Sequence, residues 1–398
     1  MTVNIKPSIA RGEIAAPPSK SVAHRALICA ALSAGSRVTN IDLSEDIKAT
    51  LEGLQALGAK ADINGKSAFI GGINKAAIPA AKIECGASGS TLRFLIPLAM
   101  AGGNKTVFCG EKRLFMRDLS VYESIAERAG ISFNKGDTSL TVCGKLKAGK
   151  FCVRGDISSQ FVTGLMLALP LLSGDSVIEF TSPVFSKPYI DITVGMLSRF
   201  GISVIPRENG YLIPGNQTYK PSEIEVEGDY SNAAFLDAFN LFGGNVKVLN
   251  LNADTAQGDR VYKRYFGDIR SGGSYDLSDC PDLAPVMLAL ASEFSGAVFT
   301  GTSRLKIKES DRAAAMAEEL RKFGGELTVK DDTVGVKALK LHAPRETLCS
   351  HNDHRIVMAL AVLASRYGGE ISGAEAVNKS YPGFFEDIKK LGIEVEIK

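Results

Sequence analysis

Five short segments of the sequence are rich in residues that can bind anions at the start of a helix, and four of them carry Lys or Arg. They are PPSKSVAHR (17–25), CGASGSTLR (85–93), DISSQF (156–161), KIKESDR (306–312) and NDHR (352–355). Backbone amides and the dipole at a helix start attract phosphates and carboxylates, and Lys and Arg add full positive charges. Together the segments predict a site for ligands that carry several negative charges.

Each segment also has a purely structural interpretation. A Ser, Asp or Asn before a helix is usually only a cap. The same interpretation applies to Asp282, which lies outside these segments, where Pro281-Asp282 precedes an apolar helical stretch. Glu309 and Arg312 are spaced to pair on one helix, and His354 could be a structural histidine. The sequence GASGS (86–90) lacks the Lys and the spacing of a phosphate-binding P-loop. These alternatives stay open for each segment taken alone.

Composition narrows the classes of protein that the chain can be. A length of 398 residues favours two or more domains. The 46 basic and 44 acidic residues nearly cancel, so we expect neither nucleic acid nor a membrane surface as a partner. The seven cysteines form no Cys-x-x-Cys pair, which argues against a zinc site or a disulfide framework.

The apolar stretch from Phe161 to Leu172 is interrupted by Gly164 and Pro170, so it predicts a buried helix rather than a membrane span. We see no signal peptide and expect a cytoplasmic protein.

A repeat organises the chain. A helical pattern that ends in an apolar residue and a glycine, and then becomes strand-like, recurs at Gly58, Gly130, Gly201, Gly324 and Gly392, with a weaker copy at Gly267. Each glycine predicts a left-handed cap at the end of a helix. Polar tips such as Asn64-Gly65 and Asn209-Gly210 then predict hairpins. Copies 57 to 72 residues apart, by subtraction of those positions, favour duplicated subdomains, three to each of two similar domains.

Two crossings between the domains are expected. A new helix begins within 226–235, and Pro17-Pro18 forces extended backbone near the start of the chain. We therefore predict one domain from residues 1–15 with 228–398 and a second from residues 16–227. Two crossings would place hinges beside an interdomain cleft that can close over substrates.

The five segments, in this order, resemble the enolpyruvyl transferase family. Further matches are RLFMRDL (113–119), SKPYIDIT (186–193), CPDLAPV (280–286) and NKSYPGFFEDI (378–388), so the resemblance covers nearly the whole chain. It implies an α/β (α+β) fold of two similar domains, each with three βαβαββ units whose helices pack inside the sheets, an inside-out α/β barrel. It also implies an active site in the interdomain cleft, a monomer, and no metal or organic cofactor.

Within that family the chain is similar to the members that use shikimate 3-phosphate. In their reaction the 5-hydroxyl of shikimate 3-phosphate adds to the central carbon of phosphoenolpyruvate while the methylene is protonated, and phosphate then leaves. Both substrates carry a phosphate and a carboxylate, so their repulsion requires several cations nearby. Arginine suits this task because its planar fork binds oxyanions in a bidentate manner.

The resemblance implies a role for particular residues. It implies that shikimate 3-phosphate is bound by Lys20, Ser21, Arg25, Ser158, Ser159, Gln160, Ser186, Tyr189, Asp282 and Lys308. It implies that phosphoenolpyruvate is bound by Lys20, Gly89, Arg117, Gln160, Arg312, Arg355 and Lys379. Asp282 would be the base for the 5-hydroxyl and Glu309 the proton donor to the methylene, with Lys20 and His354 assisting. Glyphosate, which competes for the phosphoenolpyruvate subsite in this family, is an expected inhibitor, although Ala87 and Phe94 depart from the family pattern.

The sequence leaves two alternatives, a sister transferase and a protein without catalytic activity. The sister transferase, which acts on UDP-N-acetylglucosamine, typically has a reactive cysteine five residues before the arginine that matches Arg117, and here that position is Lys112. A catalytically silent protein that binds phosphorylated ligands would not need both Asp282 and Glu309. The sequence therefore favours the shikimate 3-phosphate enzyme.

Overall fold

The computed structural model describes residues 1–75 and 77–398. The chain divides into two compact units. We call Pro18–Glu227 the continuous unit, and Met1–Pro17 with Gly228–Lys398 the discontinuous unit. Each unit has its own core of buried apolar side chains, so each is stabilised mainly from within.

The helices and strands are short and alternate along the chain. The helices are α1 (Lys20–Leu32), α2 (Glu45–Ala56), α3 (Gly89–Gly102), α4 (Lys112–Met116), α5 (Ser120–Ala129), α6 (Ser159–Ala168), α7 (Lys187–Arg199), α8 (Tyr230–Ala238), α9 (Tyr262–Asp268), α10 (Ala284–Glu293), α11 (Arg312–Lys322), α12 (His354–Tyr367) and α13 (Phe384–Lys390). The strands are β1 (Thr2–Ile5), β2 (Arg11–Ala15), β3 (Ser36–Thr39), β4 (Lys60–Asn64), β5 (Ser67–Gly71), β6 (Ala81–Glu84), β7 (Thr106–Cys109), β8 (Ser132–Lys135), β9 (Ser139–Cys143), β10 (Lys150–Val153), β11 (Ser176–Phe180), β12 (Ile205–Arg207), β13 (Gly210–Ile213), β14 (Glu223–Glu225), β15 (Asn245–Leu249), β16 (Ser274–Asp276), β17 (Ala297–Thr300), β18 (Leu327–Val329), β19 (Thr333–Val336), β20 (Leu348–Cys349), β21 (Gly369–Ser372) and β22 (Val395–Ile397).

One sheet pattern recurs in both units. Within the described ranges the strands form five four-stranded sheets and one two-stranded sheet. The sheet β6-β7-β9-β8 shows the pattern, because β6 and β7 run parallel and the hairpin β8–β9 then pairs antiparallel with β7. The sheets β10-β11-β13-β12 and β16-β17-β19-β18 repeat it. This is the predicted βαβαββ unit.

Two sheets are completed by strands from distant parts of the chain. In the continuous unit β14 pairs parallel with β3. In the discontinuous unit β1 lies between β21 and β22 and pairs antiparallel with both. The N-terminal strand is therefore an integral part of the last sheet.

The glycines of the repeat end helices as predicted, with one exception. Gly58, Gly130, Gly201, Gly324 and Gly392 all have a positive φ, from 66° to 100°. Gly267 was predicted to do the same, and that prediction is wrong because Gly267 lies inside α9. The helical path continues into a 3₁₀ turn, Ile269–Ser271, and the residue with the left-handed φ of 75° is Gly272. No hairpin joins this copy within the described residues, where β15 pairs only with β2.

The helices lie inside and the sheets lie outside, as the inside-out prediction requires. In α12 every residue from His354 to Ser365 is buried, whereas β4 is almost wholly exposed. Helix α6 and the 3₁₀ turn Leu169–Leu171 form the buried segment predicted at 161–172. In the described part of the chain no helix has both the length and the apolar character needed to cross a membrane.

Candidate active site

Lys20 and Arg25 lie at the start of α1, in the continuous unit. The Lys20 ammonium lies 2.6 Å from Asp46 Oδ2, at the start of α2. This ion pair is mostly shielded from solvent, with side-chain exposures of 17% and 11%. It fixes the Lys20 ammonium at the N-terminal end of two helices, where their dipoles also favour an anion.

Arg25 is buried and is held by neutral oxygens. Its Nε donates to Thr193 Oγ1 at 2.8 Å and its Nη1 to the carbonyl of Ser21 at 2.6 Å. Its Nη2 donates to Thr163 Oγ1 at 3.2 Å and to the carbonyl of Tyr189 at 3.1 Å. Burial lowers the pKa of Arg25 to about 10, so it stays charged at neutral pH. Because its partners are neutral, its charge remains available to a bound anion.

A glycine at the start of α3 allows two guanidinium groups to come close to the backbone. A Cβ atom at Gly89 would lie 2.7 Å from Arg117 Nη1 and 3.3 Å from Arg93 Nη1. Arg93 Nη1 donates to Gln160 Oε1 at 2.7 Å, and Gln160 Nε2 donates to Ser90 Oγ at 3.0 Å. Gly89, Arg117 and Gln160 are thus brought together, with Arg93 as the residue that links them.

Three serines open α6 and α7. Ser158 caps α6, since its Oγ accepts the backbone N–H of Gln160 at 3.3 Å. Ser159 and Ser186 are buried. Ser186 has a left-handed φ of 55°, which is uncommon for a non-glycine residue. Its carbonyl accepts the backbone N–H of Tyr189 at 3.1 Å. These serines and Tyr189 lie on the two helices that Arg25 joins to α1.

In the discontinuous unit, three cations surround one carboxylate. Asp282 lies in a 3₁₀ turn, Pro281–Leu283, before α10. Its Oδ1 lies 2.7 Å from Arg312 Nη1 and 3.3 Å from Lys308 Nζ, and its Oδ2 lies 3.3 Å from Arg355 Nη2. Burial alone would raise the pKa of Asp282, yet the three cations together hold it well below its usual range. Asp282 is therefore ionised at neutral pH.

Arg312 contacts three acids from three different segments. Besides Asp282, its Nη2 lies 2.9 Å from Glu309 Oε2 and its Nε lies 2.9 Å from Asp353 Oδ2. Burial lowers the pKa of Arg312, but the carboxylates raise it by more, so that it stands well above its usual range. Burial raises the pKa of Asp353, but Arg312 and His354 together hold it below its usual value. The Glu309–Arg312 pair at i+3 that the sequence allowed is present, within this larger network.

Arg355 offers hydrogen-bond donors that the protein itself does not use. It lies in the first turn of α12 and is buried, and its Nε and Nη1 have no hydrogen-bond partner in the described residues. His354 is buried beside it, with Nδ1 3.9 Å from Asp353 Oδ1. Lys379 ends a 3₁₀ turn, and its Nζ donates to the carbonyl and to Oδ1 of Asn352, at 3.0 and 2.8 Å. The buried guanidinium of Arg355 is thus suited to bind an oxyanion.

The structure groups the predicted residues within each unit. In the continuous unit, close contacts join Ser21, Arg25 and Tyr189, and also Gly89, Arg117 and Gln160. In the discontinuous unit they join Asp282, Lys308, Glu309, Arg312 and Arg355. Sequence reasoning missed the roles of Asp46, Asn352 and Asp353 as anchors of Lys20, Lys379 and Arg312. Asp353 could have been found, since it lies within the NDHR motif and caps α12 through its Oδ1.

The chain is similar to known proteins along nearly its whole length. The sequence model described as EPSP synthase (3-phosphoshikimate 1-carboxyvinyltransferase) matches residues 5–388. A protein of Clostridium kluyveri named 3-phosphoshikimate 1-carboxyvinyltransferase is 44% identical, covering 99% of this chain and 98% of its own length. A protein of Clostridium perfringens with the same name is 41% identical, with 98% of each chain covered.

Solved structures show the same fold at lower identity. EPSP synthase from Acinetobacter baumannii superposes with a TM-score of 0.80 at 21% identity, covering 100% of this chain and 99% of its own. The enolpyruvyl transferase NikO from Streptomyces tendae gives a TM-score of 0.78 at 14% identity, covering 99% of this chain and 98% of its own. At these identities the likeness concerns the fold.

Proposed function

Because this chain belongs to the EPSP synthase family, we propose that the residue clusters of its two units perform the reaction of that family in the roles given below. The protein transfers the enolpyruvyl group of phosphoenolpyruvate to the 5-hydroxyl of shikimate 3-phosphate and releases phosphate, a step of the shikimate pathway. The observation that carries the proposal is the carboxylate of Asp282, which is mostly shielded from solvent and surrounded by Lys308, Arg312 and Arg355.

Shikimate 3-phosphate is bound mainly by the continuous unit. The starts of α1, α6 and α7 supply backbone amides, serine hydroxyls and the guanidinium of Arg25, all of which suit a phosphate. The proposed set is Lys20, Ser21, Arg25, Ser158, Ser159, Gln160, Ser186 and Tyr189, with Asp282 and Lys308 from the discontinuous unit. The geometry around Arg25 supports this, because its charge is held in place without being neutralised by a carboxylate.

Phosphoenolpyruvate is bound by groups of both units. The proposed set is Lys20, Gly89, Arg117, Gln160, Arg312, Arg355 and Lys379. Gly89 gives an anion access to backbone amides at the start of α3, beside Arg117. The unused Nε and Nη1 donors of Arg355 support the same assignment, since a buried donor gains most from an anionic acceptor.

Asp282 removes the proton of the 5-hydroxyl. In the ligand-free protein three cations depress its pKa, which makes it a weak base. An anionic substrate on Arg312 and Arg355 would offset part of their charge and thereby raise the pKa of Asp282. The base would then gain strength when the phosphoenolpyruvate site is filled.

Glu309 protonates the methylene of phosphoenolpyruvate. Its carboxylate is paired with Arg312 in the ligand-free protein. An anion that draws Arg312 away would weaken this pair and let Glu309 take up a proton. Lys20 and His354 assist by stabilising charge and passing protons. The C–O bond to the 5-oxygen forms, the C–O bond to phosphate breaks, and the methyl proton is lost as phosphate leaves.

The proposal extends to the two domains, the oligomeric state, the localisation and inhibition by glyphosate. We propose that residues 1–15 with 228–398 and residues 16–227 are the two enolpyruvyl transferase domains, and that both contribute to one active site. The protein is proposed to act as a cytoplasmic monomer. Glyphosate is proposed to compete for the phosphoenolpyruvate subsite. A dose series at several phosphoenolpyruvate concentrations tests this, and inhibition that phosphoenolpyruvate cannot relieve would refute it.

The decisive experiment measures phosphate release from shikimate 3-phosphate and phosphoenolpyruvate. The variants Asp282→Asn and Glu309→Gln are expected to bind both substrates but to lose roughly 100- to 10,000-fold in kcat. Glu326→Gln is the control, because Glu326 is half exposed and forms its ion pair with Lys337, away from the proposed ligands. Near-normal rates in the first two variants would overturn the assigned roles. Release only with UDP-N-acetylglucosamine, or binding without turnover in the wild type, would overturn the function.

A further inference from the structure

A buried carboxylate lies about two turns beyond Arg312 on α11. Glu319 is fully buried, and its Oε2 accepts the backbone N–H of Cys349 at 2.9 Å. Its Oε1 lies 2.9 Å from Nε2 of His351, and Lys322 Nζ reaches both carboxylate oxygens at 2.9 and 3.0 Å. Glu319 therefore binds two points of the segment that precedes α12. Nothing in the reaction proposed above uses this group.

The segment held by Glu319 is conformationally strained. His351 and Asn352 are consecutive non-glycine residues with left-handed φ values of 48° and 54°. Such conformations persist only where the surroundings determine them. Glu319 supplies one restraint through the imidazole of His351. Ser350 supplies another, because its Oγ accepts the backbone N–H of Asn352 at 3.1 Å.

This turn determines the position of two proposed phosphoenolpyruvate ligands. The carbonyl and Oδ1 of Asn352 hold the Lys379 ammonium. The next residue, Asp353, caps α12 and so places Arg355 in its first turn. A change of φ at His351 or Asn352 would therefore displace the Lys379 ammonium and the start of α12 together.

We propose that Glu319 is a positioning residue for phosphoenolpyruvate: by binding Cys349 and His351 it holds the left-handed turn that sets the places of Lys379 and Arg355. This inference rests on the proposed function, since it assumes that Lys379 and Arg355 bind phosphoenolpyruvate. Glu319 itself acts at a distance, through the turn.

The ion pair of Glu319 and His351 also predicts how pH affects the turn. The hydrogen bond to Glu319 raises the pKa of His351; the charge of Glu318 adds to the effect, while burial and Lys322 oppose it. A group whose pKa is raised on folding stabilises the fold below its unfolded pKa and loses that contribution as pH rises through its folded value. The Glu319–His351 ion pair is thus complete in weak acid and weakens above the folded pKa of His351.

Steady-state kinetics of Glu319→Gln, His351→Asn and the double variant test the proposal. Glu319→Gln is expected to raise the KM for phosphoenolpyruvate about 10-fold, with a much smaller change in the KM for shikimate 3-phosphate. Asparagine tolerates the left-handed region, so His351→Asn removes the imidazole with the backbone preserved, and about a 3-fold rise is expected. The double variant should be no worse than Glu319→Gln, because both changes break one contact.

Two controls distinguish positioning from loss of stability. Glu293→Gln removes a nearly buried acid on α10 that bonds Arg366 and Tyr367, and should leave the KM for phosphoenolpyruvate unchanged. In the wild type this KM should rise as pH passes the pKa of His351, measured by NMR, and the rise should vanish in His351→Asn.

A folded Glu319→Gln variant with a wild-type KM for phosphoenolpyruvate would overturn the inference. If that variant does not fold, an unchanged KM and pH profile in His351→Asn would overturn it equally. Failure of the proposed function looks different, because the wild type itself would then release no phosphate from the two substrates.

Discussion

The arginines of the two units are held by two different kinds of partner. Arg25 is held by hydroxyl and carbonyl oxygens, so its positive charge is fixed in position but not neutralised. Arg312 is held by three carboxylates, so an incoming anion must compete with the protein's own acids. An anion that binds Arg312 would therefore change the electrostatic environment of Asp282 and Glu309, the two residues proposed to transfer protons, at the same time.

Gly89 offers a direct test of the space in front of Arg117. We expect Gly89→Ala to raise the KM for phosphoenolpyruvate about 10-fold or more, which is at least about 1.4 kcal/mol of binding. The added methyl would lie 2.7 Å from Arg117 Nη1, so the guanidinium would have to move. Titration calorimetry should show nearly unchanged affinity for shikimate 3-phosphate. An unchanged KM for phosphoenolpyruvate would show that Gly89 does not contribute to the phosphoenolpyruvate subsite.

Site residues could be predicted from the sequence where they lay within a short motif. Asp282, Lys308, Arg312 and Arg355 were named from short segments, and the structure joins them. Glu319 could not be found in this way, because on α11 it resembles any polar side chain and its partner His351 is 32 residues further along the chain. Contacts between distant segments leave no local signal in a single sequence.

Helix ends were predictable where glycine is sterically required. Five glycines of the repeat adopt the left-handed conformation that follows a helix. Gly267 failed because the residues after it, Asp268 to Ser271, continue the helical path and Gly272 supplies the left-handed turn instead. A glycine after an apolar residue therefore predicts a helix end only when the following residues leave the helical conformation.

The crossing of α3 and α6 leads to a stability prediction at the scale of the element. A Cβ atom at Gly164 would lie 2.4 Å from the carbonyl oxygen of Arg93 and 2.3 Å from the hydroxyl of Tyr122. That hydroxyl donates to the same carbonyl at 2.7 Å. We expect Gly164→Ala to lower the free energy of unfolding by about 2–4 kcal/mol, the sum of overpacking and a weakened hydrogen bond.

Gly195→Ala is the matched control for this change. Gly195 lies in α7, and an added methyl would meet nothing within 4 Å. Alanine is the better helix former, so this variant should gain about 0.5–1 kcal/mol. Denaturant unfolding measures both variants. Equal stabilities for the two variants would contradict the close approach of α3 and α6 at Gly164.

At the scale of the whole molecule, the sequence predicted the class of fold but not the membership of each sheet. The period of the repeat predicted two similar halves, and the resemblance to the enolpyruvyl transferases implied helices packed inside the sheets. It did not show that β14 would complete the sheet of β3, because strand pairing across about 186 residues is set by packing and not by local pattern.

The continuous unit should fold by itself. Its core is made only of residues from Val22 to Val226, and its three sheets pair only strands of the same unit in the described ranges. We expect a fragment of residues 18–227 to unfold in one cooperative transition, measured by circular dichroism in urea. A fragment of residues 18–221 lacks β14 and leaves an edge of β3 unpaired, so its midpoint should be lower. The longer fragment should also bind shikimate 3-phosphate, weakly, because Arg25 and the serines of α6 and α7 are all present while Asp282 and Lys308 are not. A longer fragment that unfolds without a transition, or no more stably than the shorter one, would mean that the core of this unit is not sufficient for its own stability.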